Sequence, residues 1–406
     1  MILTIERLGH LGDGIVQGPE GPVFVARTLP GEVVEGDLQG DRLQNARILT
    51  PSAARVAPPC RHARTCGGCQ MQHVADAAVA DWKQGIIAGA LAGQGLAAEL
   101  RPMLTSPSGS RRRATLSGRR TKSGALVGFH ASGSDTVVAI PSCLVLHPAL
   151  MASLPALEAL VIEGGSRTAE LALTVTHVPA GPDVSVTGGK PLDSALRLAL
   201  ARIAEAHGLS RLTWAGEIVA LRATPLQTFG GAKVPLPPGA FLQATEHGEA
   251  ALLQGIRQAI GPARRVADLF AGCGTFTLPL AEQAEVLAVE GDAAMTLALE
   301  KAWRQATGLK RVTVQTRDLF RRPLEPDELR GMDAVVLDPP RAGAVAQAAC
   351  LAKAKVPVIA YVSCNPASFA RDARLLADAG YRIDWVQGVD QFRWSAHIEL
   401  VARLSL

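Results

Sequence analysis

Between residues 266 and 362, five apolar runs, at 266–270, 286–289, 312–315, 334–337 and 358–362, are separated by stretches of helical length. That alternation constrains the chain more than any other feature. Strands that are apolar on both faces belong to a parallel sheet covered by helices on each side, which makes this half of the chain an α/β domain. Two later stretches, 381–389 and 397–404, have no helix between them and are expected to add an antiparallel pair at one edge.

Open α/β sheets place their chemistry beyond the carboxyl ends of the strands. The first run leads into Asp268-Leu-Phe270-Ala-Gly272-Cys273-Gly274-Thr275, a strand feeding a glycine loop and then a helix. Glycine there lets the backbone approach a nucleotide-like ligand, and Glu290, closing the next run, is placed to hold ribose hydroxyls. A dinucleotide site is the first rival, but the third glycine of that fingerprint is missing. Asp318, after the third run, is either an adenine acceptor or a turn residue. Asp338-Pro-Pro-Arg341 ends the fourth run, its two prolines making a stiff loop. The fifth ends in Ser363-Cys364-Asn365-Pro366. A cysteine in that place is either an inert core residue or a nucleophile, and its neighbours favour the nucleophile. Near it in the fold, His397 and Glu399, assigned to one face of the last strand, supply candidate bases. Cys273 reads as a small loop residue and Cys350 as filler.

The chain has 406 residues, room for two or three domains. No apolar run reaches the roughly eighteen residues of a membrane span, and the first residues lack a signal-peptide layout, so a cytoplasmic, monomeric protein is expected. The net charge is only +4, yet Arg111, Arg112, Arg113, Arg119, Arg120 and Lys122 lie close together. The region 111–140 alternates like a sheet, with this basic run on one face as a candidate contact for RNA phosphates. Of seven cysteines, Cys60, Cys66 and Cys69 are too close together to suit a core without a soft ligand, and Cys143 offers a fourth thiolate. Such a set fits an iron-sulfur cluster or tetrahedral zinc, with His62 or His73 able to replace one thiol in zinc. Residues 75–100 have helical spacing around Trp82, Ile86, Ile87 and Leu91. Residues 179–191 read as a loop and 196–206 as a helix. The first 50 residues show short alternating runs at 3–5, 14–16, 23–25 and 32–34, as in a small antiparallel barrel.

Several of these stretches resemble a known family. Gly12-Asp13-Gly14, Val23-Phe24-Val25 and Leu29-Pro30-Gly31-Glu32 resemble the TRAM module, an OB-like barrel of RNA-modifying enzymes. Phe241-Leu-Gln243, the Asp268 to Leu280 segment, Asp338-Pro-Pro-Arg341-Ala-Gly343, Ser363-Cys-Asn-Pro366 and His397-Ile-Glu399 together resemble the RNA uracil-5-methyltransferases. The cysteine spacing with Gly67-Gly68 and Gln70-x-Gln72-His73 is similar to the iron-sulfur 23S ribosomal RNA branch.

The resemblance implies a class I (Rossmann-like) methyltransferase domain over 236–406, a TRAM-like barrel over 1–55, and a central iron-sulfur, RNA-binding domain over 56–235, of which about 74–103 docks on the catalytic domain. It implies S-adenosylmethionine and a [4Fe-4S] cluster on Cys60, Cys66, Cys69 and Cys143 as cofactors, with zinc the alternative. Cys364 would be the nucleophile and Glu399 the base. Gln243, Phe270, Gly272, Gly274, Glu290, Asp318 and Asp338 would surround the cofactor and target base, with Arg341 on the RNA. The expected partner is RNA, ribosomal before transfer RNA. An RNA cytosine-5-methyltransferase generally needs a second thiol where Arg341 stands, and a non-catalytic iron-sulfur RNA-binding protein would not need loop, acid and thiol intact. Two departures, Thr245 in place of Asn and Arg393-Trp394-Ser395 in place of Pro-His-Thr, fall near the expected substrate and leave the target uridine open.

Overall fold

The computed structural model describes residues 1–18 and 20–406. The carboxyl-terminal half is built on an eight-stranded sheet in the order Val312–Thr316, Glu285–Glu290, Arg265–Leu269, Ala334–Leu337, Val358–Ser363, Glu399–Ser405, Arg382–Asp390, Glu99–Thr105. The first five strands are parallel, and Glu399–Ser405 runs antiparallel to both neighbours. This is the α/β sheet with an antiparallel edge pair that the apolar runs predict. Its central strands are almost free of solvent, with Val266, Ala267, Leu269 and 334–337 at 0 % exposure, which is why their sequences carry no polar alternation.

The eighth strand, Glu99–Thr105, comes from a region expected in the central domain and pairs parallel with Arg382–Asp390. Its sequence, Glu-Leu-Arg-Pro-Met-Leu-Thr, is that of a half-exposed edge strand, and Pro102 is tolerated there because one side of an edge strand needs no ladder bond. Helix Asp76–Ala92 precedes it and packs on helix Pro366–Asp378 and on the edge strands. Its buried stripe is Val79, Lys83, Ile87 and Leu91. Trp82 and Ile86, placed by periodicity on that stripe, are only half-buried. Trp82 instead packs with Leu29, Met71 and Val74 toward the first sheet. The sequence conceals the true stripe because one of its members is a lysine.

Residues 1–50 form a six-stranded sheet around Ile5, Val16, Val23, Val25, Val34 and Leu43. The four expected strands are present, joined by Arg7–Leu8 and Arg42–Thr50. Arg42–Thr50 escapes the alternation rule because a bulge and the positive φ of Asn45 interrupt it. The central region is a seven-stranded sheet from Val137–Ala139 to Glu217–Leu221 on which helices Leu154–Gly164 and Ser194–Ala206 pack. The expected loop at 179–191 is contradicted in its middle: Asp183–Thr187 is a strand, with Val184 and Val186 fully buried. The Pro and Gly residues that suggested a loop only flank it. Among the described residues no helix is long and apolar enough to cross a membrane.

Candidate active site

Cys364 follows strand Val358–Ser363 directly, where Asn365 caps the next helix by accepting from the Ala367 amide at 3.1 Å and Pro366 opens its first turn. The cap ends the strand sharply and leaves the thiol at its carboxyl end. Ser363 pairs with Leu400 in the antiparallel register. Carried one residue on, that register sets Cys364 opposite Glu399, the first residue of its strand, and residues opposite one another share a face. His397 lies just before this strand, in loop rather than on it, so the expected same-strand pairing of 397 with 399 is not what brings it near. It reaches the thiol by lining the same cavity, about 780 Å³ in volume, together with Arg341, Gln70, and His10 and Arg42 of the first sheet.

Burial and the nearby Asp338 push the Glu399 carboxyl up to about 8. Burial and then the neighbouring Asp268 and Glu290 push Asp338 up to about 7. The Cys364 thiol is pushed up to about 11 by burial and then by Glu399 and Asp338, with Arg341 opposing. These acids and the thiol cannot all be ionised together, so a proton is readily moved among them.

The glycine loop lies at the edge of the same acidic region. Phe270 has φ 65° and its ring meets that of Phe320 at 5.4 Å. The Gly272 amide donates to Glu290 at 3.0 Å, and the other Glu290 oxygen accepts from Asp292 N at 2.9 Å. Gly274 has φ 90°, and a Cβ there would lie 2.4 Å from Leu299, so only glycine fits. Asp268 is fully buried and one of its oxygens has no partner, while burial raises it to about 6. An orphaned buried carboxylate among other carboxylates is a donor set that fits a cationic ligand such as S-adenosylmethionine. Gln243 is buried and accepts from Gln391 at 2.6 Å. Asp318 accepts from the Phe320 amide at 2.9 Å and faces Arg321 at 3.5 Å, the geometry of a turn residue. Cys273 is buried and pushed up to about 12, an inert loop thiol.

Cys60, Cys66, Cys69 and Cys143 line one cavity of about 340 Å³. Gly67 is required beside them, because a Cβ would lie 2.8 Å from the His130 carbonyl. Burial raises the Cys66 thiol and pushes Cys69 up to about 11. Among the described residues no three His, Cys, Asp or Glu side chains are arranged to hold a single metal ion. The four thiols share this cavity, and thiolates are the donor type that an iron-sulfur cluster or zinc takes. His62 lines the cavity and His73 does not.

Arg111, Arg112 and Arg113 are turned into the protein and not displayed together on an outer face, while Arg119 and Lys122 of the same run are exposed. Arg112 is 2 % exposed and pairs with Glu249, while its Nε donates to the Gln243 carbonyl at 3.2 Å. Arg111 is turned toward Cys143 and Cys69 and lies 5.4 Å from the Phe392 ring. Arg113 donates to the Gly239 carbonyl at 3.2 Å. All three join the central domain to the catalytic one, a use that local charge density cannot reveal. Arg341 alone of the predicted RNA contacts stands exposed beside the thiol.

Comparison with known proteins bears directly on this arrangement. Residues 239–405 match the model of the tRNA (uracil-5-)-methyltransferase family. An uncharacterized RNA methyltransferase of Brucella suis is 43 % identical, over 99 % of this chain and 97 % of its own. The 23S rRNA (uracil(1939)-C(5))-methyltransferase RlmD of Chromohalobacter salexigens is 34 % identical, over 99 % of this chain and 89 % of its own. The chain belongs to the RNA uracil-5-methyltransferase family. The crystal structure of the Pyrococcus abyssi tRNA (uracil-54, C5)-methyltransferase with S-adenosyl-L-homocysteine has the same fold, with a TM-score of 0.77 at 22 % identity, covering 100 % of this chain and 99 % of that one.

Two supports of this methyltransferase's site carry no motif. Asp372, fully buried, accepts from Tyr361 Oη at 2.7 Å and from the Ala344 amide at 2.6 Å. With Asn365 and Ser368, which donate to the Arg341 carbonyl at 3.0 and 3.2 Å, it ties the Asp338 to Ala344 loop to helix Pro366–Asp378. Replacing Asp372 by Ala leaves two buried donors unpaired and is expected to cost about 2–5 kcal/mol, read from denaturant melts. Thr245 is buried at 1 % exposure and caps helix Glu246–Ile260, accepting from the Gly248 amide at 2.9 Å. Its departure from the family residue is thus a capping substitution.

Proposed function

We propose that this enzyme transfers a methyl group from S-adenosylmethionine to C5 of a uridine in 23S ribosomal RNA through a covalent adduct on Cys364. The observation that carries the reading is the register that sets Cys364 opposite Glu399, with Asp338 beside both, on a cavity that opens to Arg341 and to the first sheet. Uracil C5 is too weak a nucleophile to attack a methyl sulfonium unaided. The Cys364 thiol gives up its proton to a neighbouring carboxylate and thence to solvent, the thiolate Sγ adds to C6, and the C5–C6 π electrons move through C4 onto O4, giving an enolate with carbanion character at C5. Bound S-adenosylmethionine supplies the electrophilic methyl and a positive charge beside the carboxylates. After C5 has taken the methyl, Glu399 removes the C5 proton, the C5–C6 double bond re-forms and the Sγ–C6 bond breaks. Glu290 and the Gly272–Gly274 loop would hold the ribose and the cofactor backbone, Phe270 and Asp318 the adenine, and Gln243 and Asp338 the target base.

In the same reading, residues 1–55 are a TRAM-like barrel and 56–235 an iron-sulfur domain, and both grip RNA around the cavity so that the flipped uridine reaches the thiol. Cys60, Cys66, Cys69 and Cys143 would ligate a [4Fe-4S] cluster, with no step in the methyl transfer. Cys66→Ser is expected to lower the iron content of the purified protein while Cys350→Ser leaves it unchanged. The ribosomal target is supported by the Chromohalobacter relative, and the transfer RNA alternative by the description of the matching family model. Mapping 5-methyluridine in cells with and without the protein separates them: loss from 23S rRNA supports the first reading, loss from transfer RNA the second.

A further inference from the structure

Lys83 lies in the middle of helix Asp76–Ala92 and is 0 % exposed. A lysine with no contact to water must find partners for all three of its N–H groups. Its Nζ is 2.8 Å from Asp390 Oδ1, and Asp390 is itself buried at the end of strand Arg382–Asp390. The other two protons go to main-chain carbonyls, that of His397 at 2.9 Å and that of Phe392 at 3.5 Å. Asp390 Oδ1 also accepts from the Phe392 amide at 3.1 Å.

Both carbonyls belong to the segment that leaves strand Arg382–Asp390 and enters Glu399–Ser405. That segment runs along the thiol cavity and the catalytic cavity, both of which His397 lines. It is also tied to the cysteine-rich segment, since the Gln70 and Met71 amides both donate to the Trp394 carbonyl. Burial requires three acceptors for the ammonium, and two of those it finds lie on one short segment. The two carbonyl contacts fix where the chain turns immediately before Glu399.

We propose that Lys83 is a positioning residue for the proton-removal half of the reaction, holding the 392–397 segment so that the Glu399 carboxyl is aimed at C5 of the thiol adduct. This rests on the reading of Cys364 as nucleophile and Glu399 as base. Lys83 touches neither substrate nor cofactor and acts through the backbone it binds.

Lys83→Met alone would strand the buried Asp390 charge, so the test uses Lys83→Met combined with Asp390→Asn, which keeps the acceptor for the Phe392 amide, alongside Lys83→Arg and Glu399→Gln. Each full-length protein is given S-adenosylmethionine and bulk RNA from cells lacking the enzyme. Turnover, KM, and protein-bound nucleotide after denaturation are followed, with a melting curve for each variant. The double variant is expected to form the adduct at the native rate and to resolve it slowly. Nucleotide then accumulates on Cys364 and kcat falls by about 10²-fold, because a base displaced by an ångström loses that much. Because the adduct accumulates, KM is expected to fall together with kcat, leaving kcat/KM within about threefold of native, since the steps up to methyl transfer are untouched. Lys83→Arg, which keeps the charge and the donors, is expected to recover part of the turnover. Native turnover in the double variant, or adduct formation and turnover lost together, overturns the proposal. If Glu399→Gln itself accumulates no adduct, the assignment of the base fails and takes this inference with it. If Glu399→Gln accumulates adduct and the double variant does not, only the role of Lys83 is refuted.

Discussion

Replacing Cys364 with alanine is expected to lower methyl transfer by on the order of 10⁴-fold or more, since no other thiol lines the cavity to make C5 nucleophilic. Cys273 is buried and held protonated, and Cys350 lies at 9 % exposure in the core, its sulfur 4.0 Å from Glu325. The loss is therefore accompanied by loss of every covalent complex with 5-fluorouridine RNA, in which fluorine at C5 blocks the proton removal that would release the thiol. Binding of RNA and of S-adenosylmethionine is expected to survive, because the Gly272–Glu290 contact and the Arg341 loop do not depend on the thiol. A fluorouridine adduct that persists in Cys364→Ala would reject the mechanism.

Glu399→Gln is expected to lower kcat by about 10²–10⁴-fold while the adduct builds up on Cys364, because only the second half of the reaction needs a base. In the native enzyme kcat is expected to rise with pH along a limb near 8, the value to which burial and Asp338 push the carboxyl. The glutamine variant should lack that limb. The same shift acts on stability with the opposite sense. A carboxyl raised from 4.5 to about 8 by folding favours the folded state while it is protonated, fully so below about 4.5, and that contribution is lost as pH rises toward 8. Glutamine carries no charge at any pH. Its stability relative to native is therefore expected to improve by on the order of 3 kcal/mol between pH 5 and pH 9, at about 1.4 kcal/mol per unit. Melts of the two proteins that ran parallel across this range would show that the carboxyl is not held neutral.

The acids also explain why the site reads so clearly from the chain. Asp268, Glu290 and Asp338 lie at or just before or beyond the carboxyl ends of largely apolar strands, where a lone acid stands out. Period, glycine loop, Pro-Pro turn and the cysteine before Asn-Pro are all local signals. Each was set within a single strand-turn-helix unit, so one pass along the sequence recovers them. The parallel sheet, the antiparallel pair, the thiol at a strand end and the close spacing of Cys60, Cys66 and Cys69 were legible for that reason.

What the sequence could not decide are the places where distant segments meet. Nothing local marks Glu99–Thr105 as the eighth strand of the catalytic sheet, and Arg111 to Arg113 look like a surface patch until Glu249, the Gln243 carbonyl and the cysteine cavity are folded against them. Lys83 looks like a solvated helix residue until Asp390 and two carbonyls, more than 300 positions away in the chain, close around its ammonium. The sequence by itself determined the reaction's parts, because each depends on neighbours a few residues apart. Only the tertiary structure decided which charges are spent inside the protein and which stand exposed, because desolvation is a property of what packs above a residue rather than of what precedes it.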